Sequence, residues 1–322
     1  MEHSVIYITN RPDPLFAWFL DSLVLDAPAE DLAQTQLVVV DHEAKNKGRK
    51  EWFEAHENLA KFGDVVHVPV KPNVWTGAHR LTPVDYFAAS NFRNTGLLYA
   101  SADHVTFVDD LSYIVPGWWN HVKLSKEDQA VYLGTYEKHR HMCVKDGKLL
   151  GSERYEGGVD TRRANLSLSN TKPFPCAGSW MYGCSVSGPT KAWMDINGYD
   201  EDCDSMGSED YICGMMLELE KWPIKFCPAM MTIESEEYHH ISTPVLRIIK
   251  PSGYRDASWT LLDQVRSGER RRGAFYCAES MTLAERRDRV LQGLPLPITQ
   301  IPEHDWRDGQ PLSEMYPPEK KK

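Results

Sequence analysis

The chain has 322 residues, 42% of them hydrophobic, which is enough to form one large or two ordinary folded domains. This content excludes a disordered or fibrous protein. With 36 Lys and Arg against 46 Asp and Glu, the formal net charge is −10, which excludes a simple basic coat for nucleic acid. Any polyanionic partner must therefore meet a local basic patch.

Two further features bear on where the protein resides. No apolar run approaches the ~20 residues of a membrane span, and polar Asn10 and Arg11 come too early for a signal peptide. The seven cysteines are scattered, without a Cys-x-x-Cys pair, and their odd number does not suit a disulfide framework. We expect a cytoplasmic protein with no membrane span.

Short β-branched runs alternate with amphipathic stretches over the first 110 residues, a pattern typical of parallel strands joined by crossover helices. The predicted strands are Val5–Thr9, Leu37–Val40, Val65–Val68 and Val105–Val108. Polar residues follow three of these strands, namely Thr9-Asn10-Arg11, Asp41-His42-Glu43 and Asp109-Asp110. Because ligands of open α/β sheets bind beyond the carboxyl ends of the strands, these residues are candidate contacts.

A helix is predicted before the fourth strand, over Asp85–Ala100, with Arg93 and Asn94 beside its apolar face. Residues 120–175 are charged and mixed, with strand-like pieces at Val131–Thr135 and near Leu149. Within this region we expect Gly151–Arg163 to be a mobile excursion.

A second helix is predicted from Ser208, which can cap it, to a stop before Pro223. Its apolar stripe is typical of a core-packing face. Glu209 and Asp210 occupy its first turn, where carboxylates are favoured by the helix dipole whatever the function. The Gly-punctuated loop that precedes them can also hold a carboxylate over a cleft, as a general base requires.

Two other groups suit metal binding. Asp109 and Asp110 offer hard oxygen ligands at a strand end, although Asp also caps turns there. His239 and His240 offer imidazole ligands, and in the extended segment expected after Ile233 only one of them faces inward. A surface histidine pair is the alternative.

The C-terminal part is locally basic. Between Val245 and Val290 there are ten Arg or Lys against six Asp or Glu, with helical periodicity at Leu283–Leu291. The basic residues singled out here are Arg247, Arg255, Arg266 and Arg270 to Arg272. A basic patch and a solvated helical surface are both compatible with this pattern. We expect a domain over 1–240 and a partly helical extension over 241–322.

In their order and spacing these segments resemble the nucleotide-sugar-dependent glycosyltransferases of the GT-A fold, from about Val5 to His240. Arg93-Asn94-Thr95-Gly96 resembles the family's Arg-Asn-x-Gly helix, and Phe107-Val108-Asp109-Asp110 resembles its acidic metal motif. Pro116-Gly117-Trp118 is similar to the usual continuation. The Asn-Gly-Tyr/Phe … Gly-x-Glu-Asp signature of inverting members, including those similar to galactosyltransferases, is similar to the stretch formed by Gly183-Cys184-Ser185, Ile196-Asn197-Gly198-Tyr199-Asp200-Glu201 and Gly207-Ser208-Glu209-Asp210.

The resemblance implies a GT-A α/β fold, Rossmann-like, with a mostly parallel central sheet flanked by helices, and a role for each candidate residue. It also implies a UDP-sugar donor and a divalent metal, Mn or Mg. The implied donor-binding residues are Asp41 at the nucleotide base, Thr9 and Arg11 beside it, and Arg93, Asn94 and Asp109 near the diphosphate and sugar. The implied metal ligands are Asp109, Asp110 and one of His239 or His240. Asp210, beside Glu209, is implied as the base that deprotonates the acceptor hydroxyl.

One position departs from the family. The acidic motif usually reads Asp-x-Asp, and alignment on Pro116-Gly117-Trp118 places Leu111 at its second Asp. Either Asp110 takes over metal binding, alone or with Ser112, or the metal site is weaker. A scaffold protein that binds nucleotide-sugar without catalysis is the hypothesis from another class.

The expected reaction is a single in-line displacement with inversion, a retaining outcome being its rival. Trp180 is a candidate for stacking on the sugar or the acceptor, unless it belongs to the core. The acceptor is a glycan, a small molecule, or DNA carrying 5-hydroxymethylpyrimidines as in some bacteriophage enzymes. The basic tail favours DNA, and the net charge of −10 opposes it.

Overall fold

The computed structural model describes residues 1–73, 87–163, 172–204, 207–241, 254–275 and 281–294. For residues 240, 241 and 254–259 it describes the backbone alone. Ten strands in the described residues form one sheet: β1 His3–Thr9, β2 Thr35–Asp41, β3 Asp64–Val68, β4 His104–Asp109, β5 Ser112–Ile114, β6 Val131–Lys145, β7 Lys148–Val159, β8 Phe174–Pro175, β9 Ser185–Pro189 and β10 Ile224–Ser235.

Helices flank this sheet, and their described members are α1 Phe16–Asp26, α2 Ala29–Leu32, α3 Arg49–Glu54, α4 Ala89–Tyr99, α5 Trp118–Glu127, α6 Thr190–Asp195, α7 Glu209–Leu219, α8 Glu236–Ile241, α9 Tyr254–Arg266 and α10 Leu283–Leu291. Short 3₁₀ turns lie at Glu57–Lys61, Thr161–Arg163, Gly178–Trp180 and Glu201–Cys203. None of the described helices is long and apolar enough to cross a bilayer.

The strand order is β3-β2-β1-β4-β9-β6-β10-β5, with β7 added on β6 and β8 on β10. The first four strands in this order pair in parallel, and β6 pairs in parallel with β10. Strand β9 runs antiparallel between β4 and β6. This mixed but mostly parallel sheet between helices confirms the predicted α/β fold class, and all four predicted strands are present.

Both faces of the central strands are buried, which explains why they are continuous apolar runs. Alternate residues of β1 point to opposite sides. Val5 and Tyr7 pack with Phe16 and Phe19 of α1 in one core cluster. The other face of β1 contributes to a second cluster with α4, α7 and the C-terminal helices.

Gly96 lets α4 approach the sheet closely. A Cβ atom at this position would lie 2.3 Å from Cγ2 of Ile6 in β1. The glycine therefore fixes the distance between α4, which carries Arg93 and Asn94, and the strand ends. The described helix begins at Ala89, and residues 85 and 86 of its predicted start lie outside the described part.

The described C-terminal helices pack on the same core as the preceding chain. Leu261, Leu262 and Val265 of α9 and Leu283 of α10 belong to the cluster that includes α4 and α7. Helix α10 has the bounds that its periodicity predicts. A domain division after residue 240 stays a prediction.

The predicted mobile excursion over Gly151–Arg163 is wrong. Most of it is strand β7, which pairs antiparallel with β6 from Glu137 opposite Val159 to Lys145 opposite Lys148. A two-stranded ribbon exposes charged side chains along much of its length, so the apolar alternation that identifies a strand is weak here. Arg163 ends the segment in an ion pair with Glu137 at 2.7 Å.

The extended segment predicted for the histidine pair is also wrong. Strand β10 ends at Ser235, and α8 contains both His239 and His240. Adjacent residues of a helix do not alternate between two faces, so the argument that only one histidine faces inward does not apply. The side chain of His240 lies outside the described atoms.

Candidate functional site

The carboxyl ends of β1 and β4 form the floor of the candidate site. These neighbouring parallel strands bring Thr9 beside the acidic pair that ends β4. The Thr9 hydroxyl donates a hydrogen bond of 2.8 Å to Oδ2 of Asp110. The two polar segments that the sequence places at strand ends therefore meet.

Thr9, Arg11, Asp110 and His239 form what we call the Arg11 cluster. Nε of Arg11 donates to Oδ1 of Asp110 at 3.2 Å, and its Nη1 approaches the His239 carbonyl oxygen at 3.5 Å. Burial raises the pKa of Asp110 to about 6, although Arg11 and Thr9 act to lower it. Asp110 is thus committed to neighbouring side chains.

Asp41 ends β2 in a buried network behind this cluster. Its Oδ2 accepts hydrogen bonds from Nε of Arg49 at 2.6 Å and from Nε2 of His67 at 3.0 Å. Arg49 also donates to the carbonyl oxygens of Pro12 and Arg11. Burial acts to raise the pKa of Asp41, but His67 and Arg49 together bring it below its usual value. Through Arg49, Asp41 therefore stabilises the loop that contains Arg11.

Arg93, Asp109, Glu209 and Asp210 form a second group, the Arg93 cluster. Nη2 of Arg93 lies 3.1 Å from Oδ1 of Asp109, and Nη1 lies 3.0 Å from Oδ1 of Asp210 and 3.5 Å from Oε1 of Glu209. One buried guanidinium from α4 thus faces three carboxylates from β4 and α7. Burial acts to lower the pKa of Arg93, but Asp210 and Asp109 raise it well above its usual value.

Asp210 is a carboxylate with a raised pKa. It lies in the first turn of α7, preceded by Ser208, whose φ of 69° places the loop in a left-handed conformation. Burial and the nearby Glu209 and Asp109 raise its pKa to about 7, against the lowering effect of Arg93 and the Gly183 N–H. A base with a pKa near the working pH is effective in proton transfer.

Gly183 lies against the Arg93 cluster. A Cβ atom there would lie 1.9 Å from Nη2 of Arg93 and 2.7 Å from Oδ1 of Asp210. A side chain here would have to displace the guanidinium of Arg93 or the carboxylate of Asp210. The glycine lies two residues before β9.

The side-chain amide of Asn94 forms hydrogen bonds with the loop before α7 through both its nitrogen and its oxygen. Its Nδ2 donates to the Tyr199 carbonyl oxygen at 2.8 Å and to Oε1 of Glu201 at 2.9 Å, while its Oδ1 accepts from the Tyr199 N–H. Lys71 forms a buried ion pair with the same glutamate at 2.8 Å. Asn94 therefore acts on the site through this loop.

Arg270 supports the same loop from the C-terminal part. It donates to both oxygens of Asp200 and to Oδ2 of Asp202, at distances of 2.5 to 2.7 Å. Arg287 donates to the Ala100 carbonyl oxygen. These two arginines of the basic tail are thus engaged within the fold.

Trp180 is packed against the protein. Its ring meets Phe226 at 5.4 Å and Phe174 at 6.4 Å between centroids, both edge-on. Tyr182, two residues later, is exposed. A contact of Trp180 with sugar or acceptor stays a prediction.

Two solved structures are similar to this chain in fold. Residues 1–349 of S. aureus TarS in complex with UDP match with a TM-score of 0.50 and 17% identity, over 73% of this chain and 60% of that chain. GalNAc-T7 with UDP, GalNAc and Mn²⁺ matches with a TM-score of 0.53 and 15% identity, over 92% of this chain and 59% of that chain. No protein-family model and no curated protein sequence matches.

The chain has the GT-A fold of nucleotide-sugar glycosyltransferases. This confirms the resemblance drawn from the motifs. At 15% to 17% identity the likeness concerns the fold, and each match spans about 60% of the other chain. The roles of the individual site residues stay predictions.

The GT-A fold raises the question of a divalent metal. In the described part of the chain, no three His, Cys, Asp or Glu side chains converge to hold a metal, so Asp109, Asp110 and His239 do not form a cage. The side chain of Asp109 is 32% exposed, about twice as much as that of Asp110 at 15%. Mg²⁺ is often held by one or two carboxylates together with substrate phosphates. Asp109 suits that arrangement.

Sequence reasoning missed several residues that support this candidate site. Arg49 and His67 hold Asp41. Gly183 belongs to the stretch that resembles the family signature, but its contact with the Arg93 cluster was not predicted. Burial, together with the nearby Asp109, raises the pKa of Glu234 to about 8. The Glu-rich segment after Ile233 contained the signal for Glu234, whereas the roles of Arg49 and His67 depend on contacts with residues distant in sequence.

Proposed function

We propose that this chain transfers a sugar from a UDP-sugar to an acceptor hydroxyl with inversion at the anomeric carbon. The observation that carries this proposal is the bridge formed by Arg93, which joins the acidic residue at the end of β4 to Asp210 on α7. The bridge joins a carboxylate with a pKa of about 7 to the end of β4, where we expect the diphosphate to bind. The GT-A fold supports the donor class.

Asp210 is the proposed base. Its carboxylate takes the proton of the acceptor hydroxyl while that oxygen forms a bond to the anomeric carbon. The bond between this carbon and the diphosphate oxygen breaks, and UDP leaves with the electron pair. Glu209, in the same helical turn, keeps negative charge near Asp210 and so favours its uptake of the proton.

The Arg11 cluster is the proposed nucleotide side. Thr9 and Arg11 line it, and Asp41 supports it through Arg49 and lies next to the position expected for the base. Arg11 and Arg93 supply the positive charge that the departing diphosphate requires. Asn94 holds the loop that leads to α7. A divalent cation held by Asp109 against the diphosphate would neutralise the charge that develops on the leaving group.

The experiment is UDP binding by calorimetry, followed by hydrolysis of a panel of UDP-sugars with and without Mn²⁺. We expect UDP to bind and at least one UDP-sugar to be hydrolysed slowly when no acceptor is present. UDP binding without hydrolysis under any metal condition would favour the scaffold hypothesis. Absence of UDP binding would exclude both.

A further inference from the structure

Asp204, in the loop before α7, is a buried residue with only 2% of its surface exposed. Its Oδ1 accepts a hydrogen bond of 2.7 Å from the Ser90 N–H, and its Oδ2 accepts one of 3.1 Å from the Asn91 N–H. Both N–H groups belong to the first turn of α4, which begins at Ala89. The residue before this helix, Ala88, has no side-chain oxygen with which to cap it. Asp204 therefore caps α4 from a segment more than a hundred residues later in the chain.

The N-terminus of α4 is a favourable place for this carboxyl. Burial of a carboxyl group is unfavourable unless hydrogen bonds replace those that it makes with water. Burial and the nearby Glu201 raise the pKa of Asp204 well above its usual value, whereas the N–H groups of Ser90 and Asn91 act to lower it. The positive end of the helix dipole also favours a carboxylate here. These contacts determine where this part of the loop lies.

The cap connects the two elements that carry the central ion pair of the Arg93 cluster. Arg93 lies about one turn after the capped N–H groups of α4, and Asp210 lies at the start of α7, which the loop of Asp204 enters. Asn94 of α4 binds an earlier part of the same loop. The helix and the loop are thus joined at two points. A change at either point alters the position of the Arg93 guanidinium relative to Asp210.

We propose that Asp204 is a positioning residue, which holds Arg93 against the proposed base Asp210 by capping α4 from the loop that enters α7. This inference rests on the proposed function, because Asp204 acts through the base of that site. A misplaced Arg93 has two consequences. The geometry of the Arg93 cluster is lost, and Asp210 loses a cation that favours its ionised form.

The test compares Asp204→Ala and Asp204→Asn with Asp26→Ala. Asp26 is a matched control, because its carboxylate oxygens accept hydrogen bonds from the Gly117 and Trp119 N–H groups and so cap α5 from outside that helix. Trp119 of α5 belongs to the core cluster that includes α1, whereas α4 belongs to the other cluster. The measurements are urea unfolding and hydrolysis, from pH 5 to 9, of a UDP-sugar that the wild-type protein hydrolyses.

We expect Asp204→Ala to lower the rate of hydrolysis by roughly a hundredfold, the effect of a misplacement of about 1 Å in the site. Burial raises the pKa of Asp210 and Arg93 acts against it, so a weaker contact with Arg93 leaves this pKa higher. The midpoint of the rise in kcat/KM should therefore move to higher pH. Asp204→Asn keeps one acceptor oxygen and should fall between the wild type and Asp204→Ala.

The Asp26→Ala control should unfold at a lower urea concentration but keep the rate and the pH midpoint of the wild type. Equal rates and midpoints for Asp204→Ala and Asp26→Ala overturn the inference. So does a lower rate with an unchanged pH midpoint, which would give Asp204 a structural role alone. If Asp204→Ala does not fold, the same outcomes are decided with Asp204→Asn. A wild-type protein that hydrolyses no UDP-sugar overturns the proposed function, and this inference with it.

Discussion

The two clusters at the strand ends differ in how their charges are balanced. In the Arg11 cluster and the network behind it, the charge of Asp41 is matched by Arg49 and that of Asp110 by Arg11. In the Arg93 cluster a single guanidinium forms ion pairs with three carboxylates. A network in which each carboxylate has a cationic partner is rigid. An excess of carboxylates instead raises the pKa values of these carboxylates, so that one of them can accept a proton. This difference is consistent with the proposed function, in which one side binds the nucleotide and the other carries out the chemistry.

The largest expected effect lies on the unbalanced side. Asp210→Asn keeps the volume of the side chain and removes its basicity, so sugar transfer should fall by a factor of roughly 10² to 10⁴. UDP binding should stay the same. Steady-state rates and calorimetry check this, with Asp195→Asn on the exposed face of α6 as the control. Binding lost in parallel with turnover would show that Asp210 has a structural role instead.

On the balanced side, the expected effect is on stability. Asp41→Asn removes the buried charge that Arg49 and His67 share, which should lower the free energy of unfolding by about 3–5 kcal/mol. Urea unfolding measures this change. The control is Glu54→Gln in the exposed Lys50 pair, expected within about 0.5 kcal/mol of wild type. Similar free energies of unfolding for Asp41→Asn and Glu54→Gln would show that the Asp41 network does not stabilise the fold.

Gly183→Ala tests the close contact between Gly183 and the Arg93 cluster. The added methyl group must displace the Arg93 guanidinium, and a shift of about 1 Å in catalytic geometry lowers turnover by roughly a hundredfold. Gly151→Ala is the matched control, because no atom lies within 4 Å of its Cβ position. Unchanged transfer by Gly183→Ala would mean that the contact between Arg93 and Asp210 is not needed.

The smallest expected effect is in the pH dependence. Asp210 acts as a base only when deprotonated, and its pKa is raised to about 7 by burial and by Glu209 and Asp109. The value of kcat/KM should therefore rise about tenfold per pH unit below pH 7 and level off above it. A rate profile from pH 5 to 9 checks this. The rise should disappear in Asp210→Asn, and its persistence there would assign the titration to another group.

Local patterns predicted much of this fold. The runs that became β1 to β4 are apolar because they are buried on both faces, and α10 begins and ends where its periodicity predicts. The ribbon of β6 and β7 was missed because its exposed side chains carry no apolar alternation. The helical form of α8 was missed because its six residues are too few to show periodicity.

The site could be predicted only in part for a related reason. Arg93, Asp109 and Asp210 belong to motifs whose spacing is visible in the sequence. The pairing of Arg93 with Asp210, more than a hundred residues later, is a product of packing, as is the contact of Gly183 with both of them. Arg270 looked like a surface charge, since its partner Asp200 lies 70 residues away in the chain.

The pairing of Arg270 with Asp200 and Asp202 also has a consequence for biosynthesis. A ribosome adds Arg270 after the whole of α7, so during translation Asp200, in the loop that enters this helix, is made before the guanidinium with which it pairs. Asp200 is fully buried in the finished protein, and a carboxylate without a partner resists burial. We therefore expect this loop to adopt its native conformation only after the segment that contains Arg270 has left the ribosome. The nascent chain would then complete the proposed active site late in its synthesis.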